Sequence, residues 1–171
     1  MTKISENRFN EMVNNIWSEY LSQASTEDLH QTVLTKNYGD VYIGGNGEWI
    51  MLWIVDNPNT EKATALLLYW KLGARGIIDK YPLIDKLEEN LINNFYKSQL
   101  LGFNPKNDTE GYNWTSDYRN NPIQRDIPIE LEHSIEGQNV YRSSDFEDGL
   151  PIEYYEKIDA LFDEYEISDE D

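Results

Sequence analysis

The residue types that most often perform chemistry are few or poorly spaced in this sequence. It contains two histidines, His30 and His133, and no cysteine. The histidines do not form the HxxxH, HxH or HExxH spacings of metal sites, and the lack of Cys excludes disulfides and Cys-based zinc or iron–sulfur centres. The G-x-S-x-G motif of a serine nucleophile does not occur either. The sequence therefore predicts no catalytic residue, no metal and no cofactor.

Carboxylates are the one reactive group present in excess, with 32 Asp and Glu residues. A pair of them could hydrolyse a glycosidic bond by acid and base catalysis, so a carboxylate-based hydrolase stays open as an alternative. Residues 107–111 are acidic and end in glycine, but they lack the D-x-[DN]-x-[DN]-G-x5-E frame of a calcium loop. Residues 44–47 lack the lysine of a phosphate-binding loop and are predicted to form a turn.

The distribution of charge is the first indication of function. The chain has 32 acidic and 14 basic residues, for a net charge of −18, and residues 126–171 hold 16 of the acids but only 2 of the bases. A protein this acidic is repelled by nucleic-acid backbones and by anionic membranes, and it complements a basic partner. We therefore expect a protein partner and no direct contact with nucleic acid or membrane. A solvated acidic tail that only improves solubility is the alternative.

Two groups of residues are candidates for binding that partner. The last predicted helix carries acids at successive spacings of 3, 3, 4 and 3 residues. Each adjacent like-charge pair costs about 0.2–0.5 kcal/mol, which a solvated face tolerates and a basic groove would offset. A polar loop contributes Tyr and Trp residues, which often anchor protein interfaces. The candidate partner-binding residues are Tyr112, Trp114, Tyr118, Glu153, Glu156, Asp159, Asp163 and Glu166.

Hydrophobic periodicity predicts that helices position most of these residues. Ser5 can cap a helix whose apolar residues recur at i, i+3, i+4 and i+7 from Phe9 to Leu21. Further helices are predicted from Thr26 to before Asn37, over 48–55, over 61–72, from Pro82 to about 98, and from 148–151 to about 166. Residues 127–131 are expected to be extended. The predicted fold class is mainly α, with at most a small β-hairpin near 41–46; an α+β fold is the alternative.

The domain organisation is predicted to be a single domain over residues 1–171. Residues 102–125 are rich in Asn, Asp, Gly, Tyr and Trp without periodicity, which indicates a long loop that is either functional or a surface insertion. Residues 167–171 are expected to be a frayed acidic tail. The N-terminus does not resemble a signal peptide, and the apolar runs are too short to span a membrane, so we expect a cytoplasmic protein. The tryptophans expected in the core are Trp17, Trp49, Trp53 and Trp70.

Residues 54–70 carry a family resemblance. There an apolar segment ends in Asn57-Pro58, and Thr64-Ala65-Leu66 opens a run that ends in a Tyr-Trp pair. This pattern resembles a small bacterial family of uncharacterised domains, and the similarity extends over about 28–165. The resemblance implies an immunity protein, because members of that family occur near polymorphic toxin systems. It implies no catalytic residue.

The sequence thus predicts an immunity-type protein that binds and neutralises a cognate basic bacterial toxin. An acidic nucleic-acid mimic that inhibits a DNA-binding enzyme is the first alternative, and the carboxylate-based hydrolase is the second.

Overall fold

The computed structural model describes residues 1–38, 47–72, 82–119 and 126–168, with only the backbone described for 117–119. These residues are mainly helical, which confirms the predicted fold class. The helices are α1 (Glu6–Leu21), α2 (Thr26–Thr35), α3 (Glu48–Asp56), α4 (Lys62–Leu72), α5 (Pro82–Ile92), α6 (Trp114–Arg119) and α7 (Ile152–Glu164), with a 3-10 turn at Ile129–Glu132. The hairpin predicted near 41–46 lies outside the described residues.

The strands are short and pair two by two. They are β1 (Thr2–Ser5), β2 (Leu101–Gly102), β3 (Gln138–Asn139), β4 (Phe146–Glu147), β5 (Leu150–Pro151) and β6 (Tyr165–Ser168). Strands β1 and β6 pair in parallel, as do β2 and β3, whereas β4 and β5 are antiparallel. The β1–β6 pairing aligns Thr2 with Tyr165 and Ser5 with Ser168. This pairing joins the two ends of the described chain.

Helix α4 is the centre of the core. Every residue from Ala63 to Trp70 is buried, because the sequence there has no polar face to expose. The helix packs against α2, α5 and β2. A helix that is apolar on all sides needs such enclosure to be stable. Trp17 and Trp70 are buried as predicted, whereas Trp49 and Trp53 are only partly buried at the edge of the core.

Helix starts follow the capping residues of the sequence. The hydroxyl of Ser5 accepts a hydrogen bond from the Arg8 backbone N–H at 3.4 Å. At α2, Ser25 and Asp28 form a reciprocal capping box, in which each side chain accepts from the other residue's backbone N–H. Both arrangements satisfy N–H groups that have no partner inside the helix.

The predicted end of α5 near residue 98 is wrong, because the helix ends at Ile92. Asn94 has a φ of 52°, and the backbone N–H groups of Asn94 and Phe95 return to the carbonyls of Leu91 and Asn90. This is the hydrogen-bond pattern of a helix that is terminated by a left-handed residue. The sequence prediction missed this terminus because the apolar spacing continues past Asn94 to Phe95.

The predicted start and end of the last helix are also wrong. Asp148 and Gly149 have φ values of 45° and 87° and form the two-residue turn of the β4–β5 hairpin, so α7 begins only at Ile152. An Asp-Gly pair suits this turn because both positions need positive φ. At the other end, residues 165–168 leave the helix to form β6. The tail predicted to fray at 167–171 therefore contains two strand residues, and 169–171 lie outside the described residues.

The segment predicted to be extended at 127–131 instead contains the start of the 3-10 turn. This turn packs onto the core through Leu131, whose carbonyl accepts a hydrogen bond from the Trp70 indole at 3.0 Å. None of the described helices has the length and apolar character to cross a membrane.

A buried histidine links α2 to α4. The Nδ1 atom of His30 lies 2.9 Å from the hydroxyl oxygen of Thr64, and the side chain is almost completely enclosed. Burial, helped by the charge of Lys71 and opposed by that of Glu61, lowers the pKa of His30 from its ordinary 6.5 to about 4. The folded protein therefore holds this imidazole neutral.

We predict that His30 makes the fold sensitive to acid. Between pH 6.5 and about 4 the unfolded chain binds a proton that the folded chain does not, so the free energy of unfolding falls as pH is lowered through this range. The contribution is about 3 kcal/mol when complete. His30→Asn keeps a polar group beside Thr64 but cannot ionise, and it should flatten this dependence in urea unfolding measured at a series of pH values. His133→Asn, at an exposed site, should keep the wild-type slope; an equal slope in both variants would contradict the assignment.

Candidate protein-binding surface

Helix α7 presents an acidic face to solvent. Glu153, Glu156, Asp159 and Asp163 form this acidic face, and all four are exposed. None of their side chains forms a salt bridge or hydrogen bond with another described residue. Within α7 the only base, Lys157, bonds Glu19 of α1 at 3.1 Å and lies 4.2 Å from the centre of the Tyr154 ring. The repulsion within the acidic face is therefore left for solvent or a partner to offset.

The charge of the acidic face perturbs a neighbouring side chain. It raises the pKa of Tyr155 above its ordinary value, mainly through the charge of Asp159. Partial burial and the charges of Glu147 and Asp148 add to this increase in the pKa of Tyr155, so the shift reflects the local negative potential together with burial.

An apolar groove runs beside the acidic face, between α1, α7 and β6. It has a volume of about 440 Å³. The rings of Phe9 and Phe162 lie 4.7 Å apart within it, and Phe162 is 53% exposed. Ile167 is 40% exposed at the β6 side. The lining residues are Glu6, Phe9, Asn10, Val13, Ile158, Phe162 and Ile167. Exposed aromatic and aliphatic groups next to a charged rim are typical of protein-binding surfaces.

Glu166 was predicted to continue the acidic stripe on the helix, and this placement is wrong. It lies on β6, where it pairs in register with Lys3 of β1, and its side chain is exposed. The helix ends because Tyr165 adopts an extended backbone with φ −116° and ψ 143°, which allows β1 to pair with the chain.

The predicted loop at 102–125 is organised around one buried carboxylate. Asp108 accepts hydrogen bonds at 2.8 Å from the backbone N–H groups of Glu110 and Tyr112 and from the indole N–H of Trp114. Residues 120–125 lie outside the described residues. The acidic character of residues 107–111 therefore has a structural use, because Asp108 holds the turn that precedes α6.

The loop aromatics have different environments. Trp114 was expected on the surface, but it is 5% exposed, because its indole is bound by Asp108 and its ring packs into the core. Tyr112 is 37% exposed and packs edge-on against Trp114, with ring centres 4.5 Å apart. The side chain of Tyr118 lies outside the described part of the chain. Of the two loop aromatics whose side chains the structure describes, Tyr112 is the one that a partner can reach.

The structure does not bring all the candidate residues into one cluster. Two hydrogen bonds join the loop to the segment before β4. The Thr109 hydroxyl donates to the carbonyl of Val140, and the Arg142 guanidinium donates to the carboxylate of Glu110. Helix α7 instead packs on α1. Sequence reasoning missed the groove, since Phe9 and Phe162 lie far apart in the chain. Their shared signal is that each belongs to the apolar residues of an amphipathic helix.

Metal binding finds no support in the described residues, where no three His, Asp or Glu side chains are grouped around a common point. The similarity to known proteins lies in a different part of the chain. Residues 24–92 match the family model described as Domain of unknown function (DUF4274). The chain has no significant match among curated proteins or solved structures.

The matched segment holds α2, α3, α4 and α5, which surround the most buried part of the core. It includes the Asn-Pro and Thr-Ala-Leu residues that carry the resemblance to an uncharacterised family, and that coarser prediction is confirmed. The match covers less than half of the 171 residues and stops before α7. The acidic face and the apolar groove lie outside it.

We predict that Asp108 is needed for loop order. Asp108→Asn has the same shape but presents an NH₂ group to at least one of three N–H donors. The free energy of unfolding should therefore fall by about 1–3 kcal/mol. Near-ultraviolet circular dichroism should show a weaker signal from the ordered Trp114. Glu110→Gln changes the same charge at an exposed ion pair and should cost less than about 1 kcal/mol. Equal losses in the two variants would contradict the role of Asp108.

Proposed function

We propose that this protein is an immunity-type inhibitor that binds and neutralises a basic bacterial toxin domain through α7 and the apolar groove. The observation that carries the proposal is the acidic face, whose four carboxylates are exposed and unpaired among the described residues, next to the exposed Phe162. In this proposal the protein has no catalytic role.

Electrostatics supports a basic partner. Unpaired acids on one rigid helix concentrate negative potential, which speeds encounter with a positive surface and opposes binding to nucleic acid. Lys157 is bound to Glu19 of α1 and forms no ion pair with the four acids of the face. A partner with Lys or Arg residues at matching positions would remove the repulsion among these acids as it bound.

The apolar groove supports binding that lasts beyond encounter. Charge at an exposed rim adds little affinity, whereas a desolvated aromatic side chain at the centre of an interface often contributes most of it. The ring of Phe162 packs against that of Phe9 in the groove and is 53% exposed, so a partner's apolar side chain could cover it. The resemblance to proteins near toxin systems adds the biological setting, and the matched family model carries no function of its own.

We predict that a basic partner can be captured from the source bacterium and that its capture depends on Phe162. Wild-type protein on a resin should retain one predominant basic protein, identified by mass spectrometry, and co-expression should abolish that protein's toxicity. Phe162→Ala should raise the Kd of the purified pair by about 30-fold, because it removes a central anchor. Loss of binding with unchanged thermal stability would locate the interface.

The outcomes separate the rival functions. Retention of many unrelated DNA-binding proteins, all displaced by DNA, would favour the nucleic-acid mimic. A partner that binds Phe162→Ala as tightly as wild type, or that is not toxic, would contradict the proposal.

We also predict that the acidic face controls the association rate. Neutralising three of its residues with Glu156→Gln, Asp159→Asn and Asp163→Asn should slow association by about tenfold at low salt and reduce the salt dependence, with a smaller change in dissociation. A matched triple variant removes the same charge from exposed acids elsewhere: Glu89→Gln, Asp126→Asn and Glu130→Gln. Stopped-flow or surface plasmon resonance measurements over a range of salt would compare them. Equal slowing by both triples would indicate only a net-charge effect.

A further inference from the structure

A second concave site, the polar cavity, lies between α2, α4 and the two segments around β2 and β3. It has a volume of about 420 Å³, which lies within the range of small-molecule sites. The helices contribute His30, Leu34 and Leu67. The polar cavity shares no lining residue with the apolar groove.

Two glycines shape one wall of the polar cavity. A Cβ atom on Gly137 would lie 2.4 Å from the Leu101 carbonyl carbon, and one on Gly102 would lie 2.8 Å from the Gly137 carbonyl oxygen. The segments approach this closely only because both residues lack side chains. Reciprocal backbone hydrogen bonds between Phe103 and Ile135, at 2.8 and 2.9 Å, hold the segments in place. The wall is therefore built by backbone geometry and does not need a ligand to form.

The pairing of Thr64 with His30 determines which ring nitrogen carries the proton. Thr64 is fully buried, and its hydroxyl bonds no described group other than the Nδ1 atom of His30. A buried hydroxyl that did not donate would lose a hydrogen bond, so Thr64 donates and Nδ1 accepts. The ring is neutral, because burial lowers its pKa to about 4. Its proton therefore lies on Nε2.

The Nε2–H group of His30 is a buried donor that lacks an acceptor. It has no hydrogen bond with any described residue, although only 3% of His30 is exposed. The ring belongs to the lining of the polar cavity, and Nε2 is its one nitrogen still able to bond a ligand. A buried donor left unpaired costs free energy, so a ligand oxygen that accepts from Nε2–H is stabilised.

The remaining polar groups of the lining require a ligand that both donates and accepts hydrogen bonds. Asn107 and Asn139 contribute side-chain amides that bond no other described residue, and each amide can donate and accept. The Glu136 carboxylate is exposed, is unpaired among the described residues and can only accept. A ligand carbonyl would pair with Nε2–H but would bring no donor for Glu136. A hydroxyl group can serve both kinds of partner.

The charge of the lining favours a neutral ligand. None of the described residues that line the polar cavity is Lys or Arg, whereas Asp108 and Glu136 are carboxylates. The neighbouring base, Arg142, is engaged outside the cavity by the Glu110 carboxylate and the Leu34 carbonyl. An anion would therefore meet repulsion without a counter-charge. An ammonium or guanidinium ion has only donors and would leave Nε2–H unpaired.

We propose that the polar cavity binds a neutral monosaccharide unit, one of whose hydroxyls accepts a hydrogen bond from the Nε2–H group of His30. Its neighbouring hydroxyls bond the Asn107 and Asn139 amides and donate to Glu136. The Tyr141 ring, which is 65% exposed in the lining, offers an apolar face to the C–H side of the sugar. The inference does not depend on the immunity proposal.

The test is NMR of the ¹⁵N-labelled full chain, observed at the His30 imidazole. The ¹⁵N shifts of the two ring nitrogens should first show the proton on Nε2. The chain is then titrated with the methyl α-D-pyranosides of glucose, galactose and mannose. At least one of them should shift the Nε2–H resonance in a saturable manner.

Two matched ligands test what is recognised in the best-binding glycoside. The uronate of the same sugar keeps the ring and adds one negative charge, and it should bind at least about tenfold more weakly. The ring without hydroxyls, 2-methoxytetrahydropyran, should also bind at least about tenfold more weakly, because it brings no donor. N-methylacetamide presents a carbonyl alone and should bind more weakly than the glycoside.

Two Asn variants test the place of binding. Asn139→Ala should weaken binding of the glycoside by about three- to tenfold, because it removes neutral hydrogen bonds. Asn93→Ala changes an exposed Asn outside the lining and should leave binding unchanged. Phe162→Ala should bind the glycoside like the wild type, so failure of the toxin-binding proposal would not be confused with failure of this one.

Each outcome decides the proposal. A proton on Nδ1, the lack of a saturable shift with all three glycosides, or equal effects of the two Asn variants would overturn it. Binding of the uronate, the hydroxyl-free ring or N-methylacetamide as tightly as the glycoside would also overturn it. If the predicted pattern is seen, comparison with the free reducing sugar distinguishes the source: tighter binding of the free sugar indicates a free monosaccharide, and tighter binding of the methyl glycoside indicates a unit of a glycan.

Discussion

Helix α4 has no polar face, and the rest of the structure is arranged to cover it. Its eight consecutive buried residues, from Ala63 to Trp70, require neighbours on every side. Its few polar atoms also need partners in different elements: Tyr69 donates to Glu88 of α5, Trp70 to Leu131, and Thr64 pairs with His30 of α2. Just before the helix, the buried carboxylate of Glu61 accepts from the hydroxyl of Ser98 and from the backbone N–H groups of Leu100 and Leu101. One apolar helix thus determines where four other segments must lie: α2, α5, the turn at Leu131 and the segment at 98–101.

This arrangement separates the molecule into a part that encloses α4 and a part that presents surface. The segment that matches the family model contributes α2 to α5, so the shared portion is mostly core. The acidic face and the apolar groove are built from α1, α7 and β6, which lie outside it. The polar cavity between α2, α4 and the segments around β2 and β3 spans both, since His30 and Leu67 of its lining belong to the matched segment and Gly102 and Gly137 lie beyond it. A core of this kind can support different surfaces without changing its packing.

Local pattern in the sequence was sufficient for the existence of most helices and insufficient for several of their ends, for α6 inside the predicted loop, and for what joins them. The start of α1 follows from Ser5, because a cap acts within a few residues. The end of α5 was missed since Asn94 interrupts an apolar spacing that continues past it, and β6 was missed since its partner β1 lies at the other end of the chain. The candidate site shows the same limit. The exposed acids on α7 could be predicted from their spacing. The burial of Trp114 could not, because it depends on a hydrogen bond to Asp108 and on tertiary packing, which hydrophobic periodicity does not reveal.

The parallel pairing of β1 with β6 has a consequence for the time at which the apolar groove comes into existence. Its walls are α1 on one side and α7 with β6 on the other, and about 130 residues separate the end of α1 from the start of α7. Chains emerge from the ribosome at about 5–20 residues per second, so α1 waits for many seconds before its neighbours arrive. A contact of such long sequence separation also forms late because loop closure must precede it. The groove therefore cannot form until α7 and β6 have been synthesised, and a shorter nascent chain cannot display it.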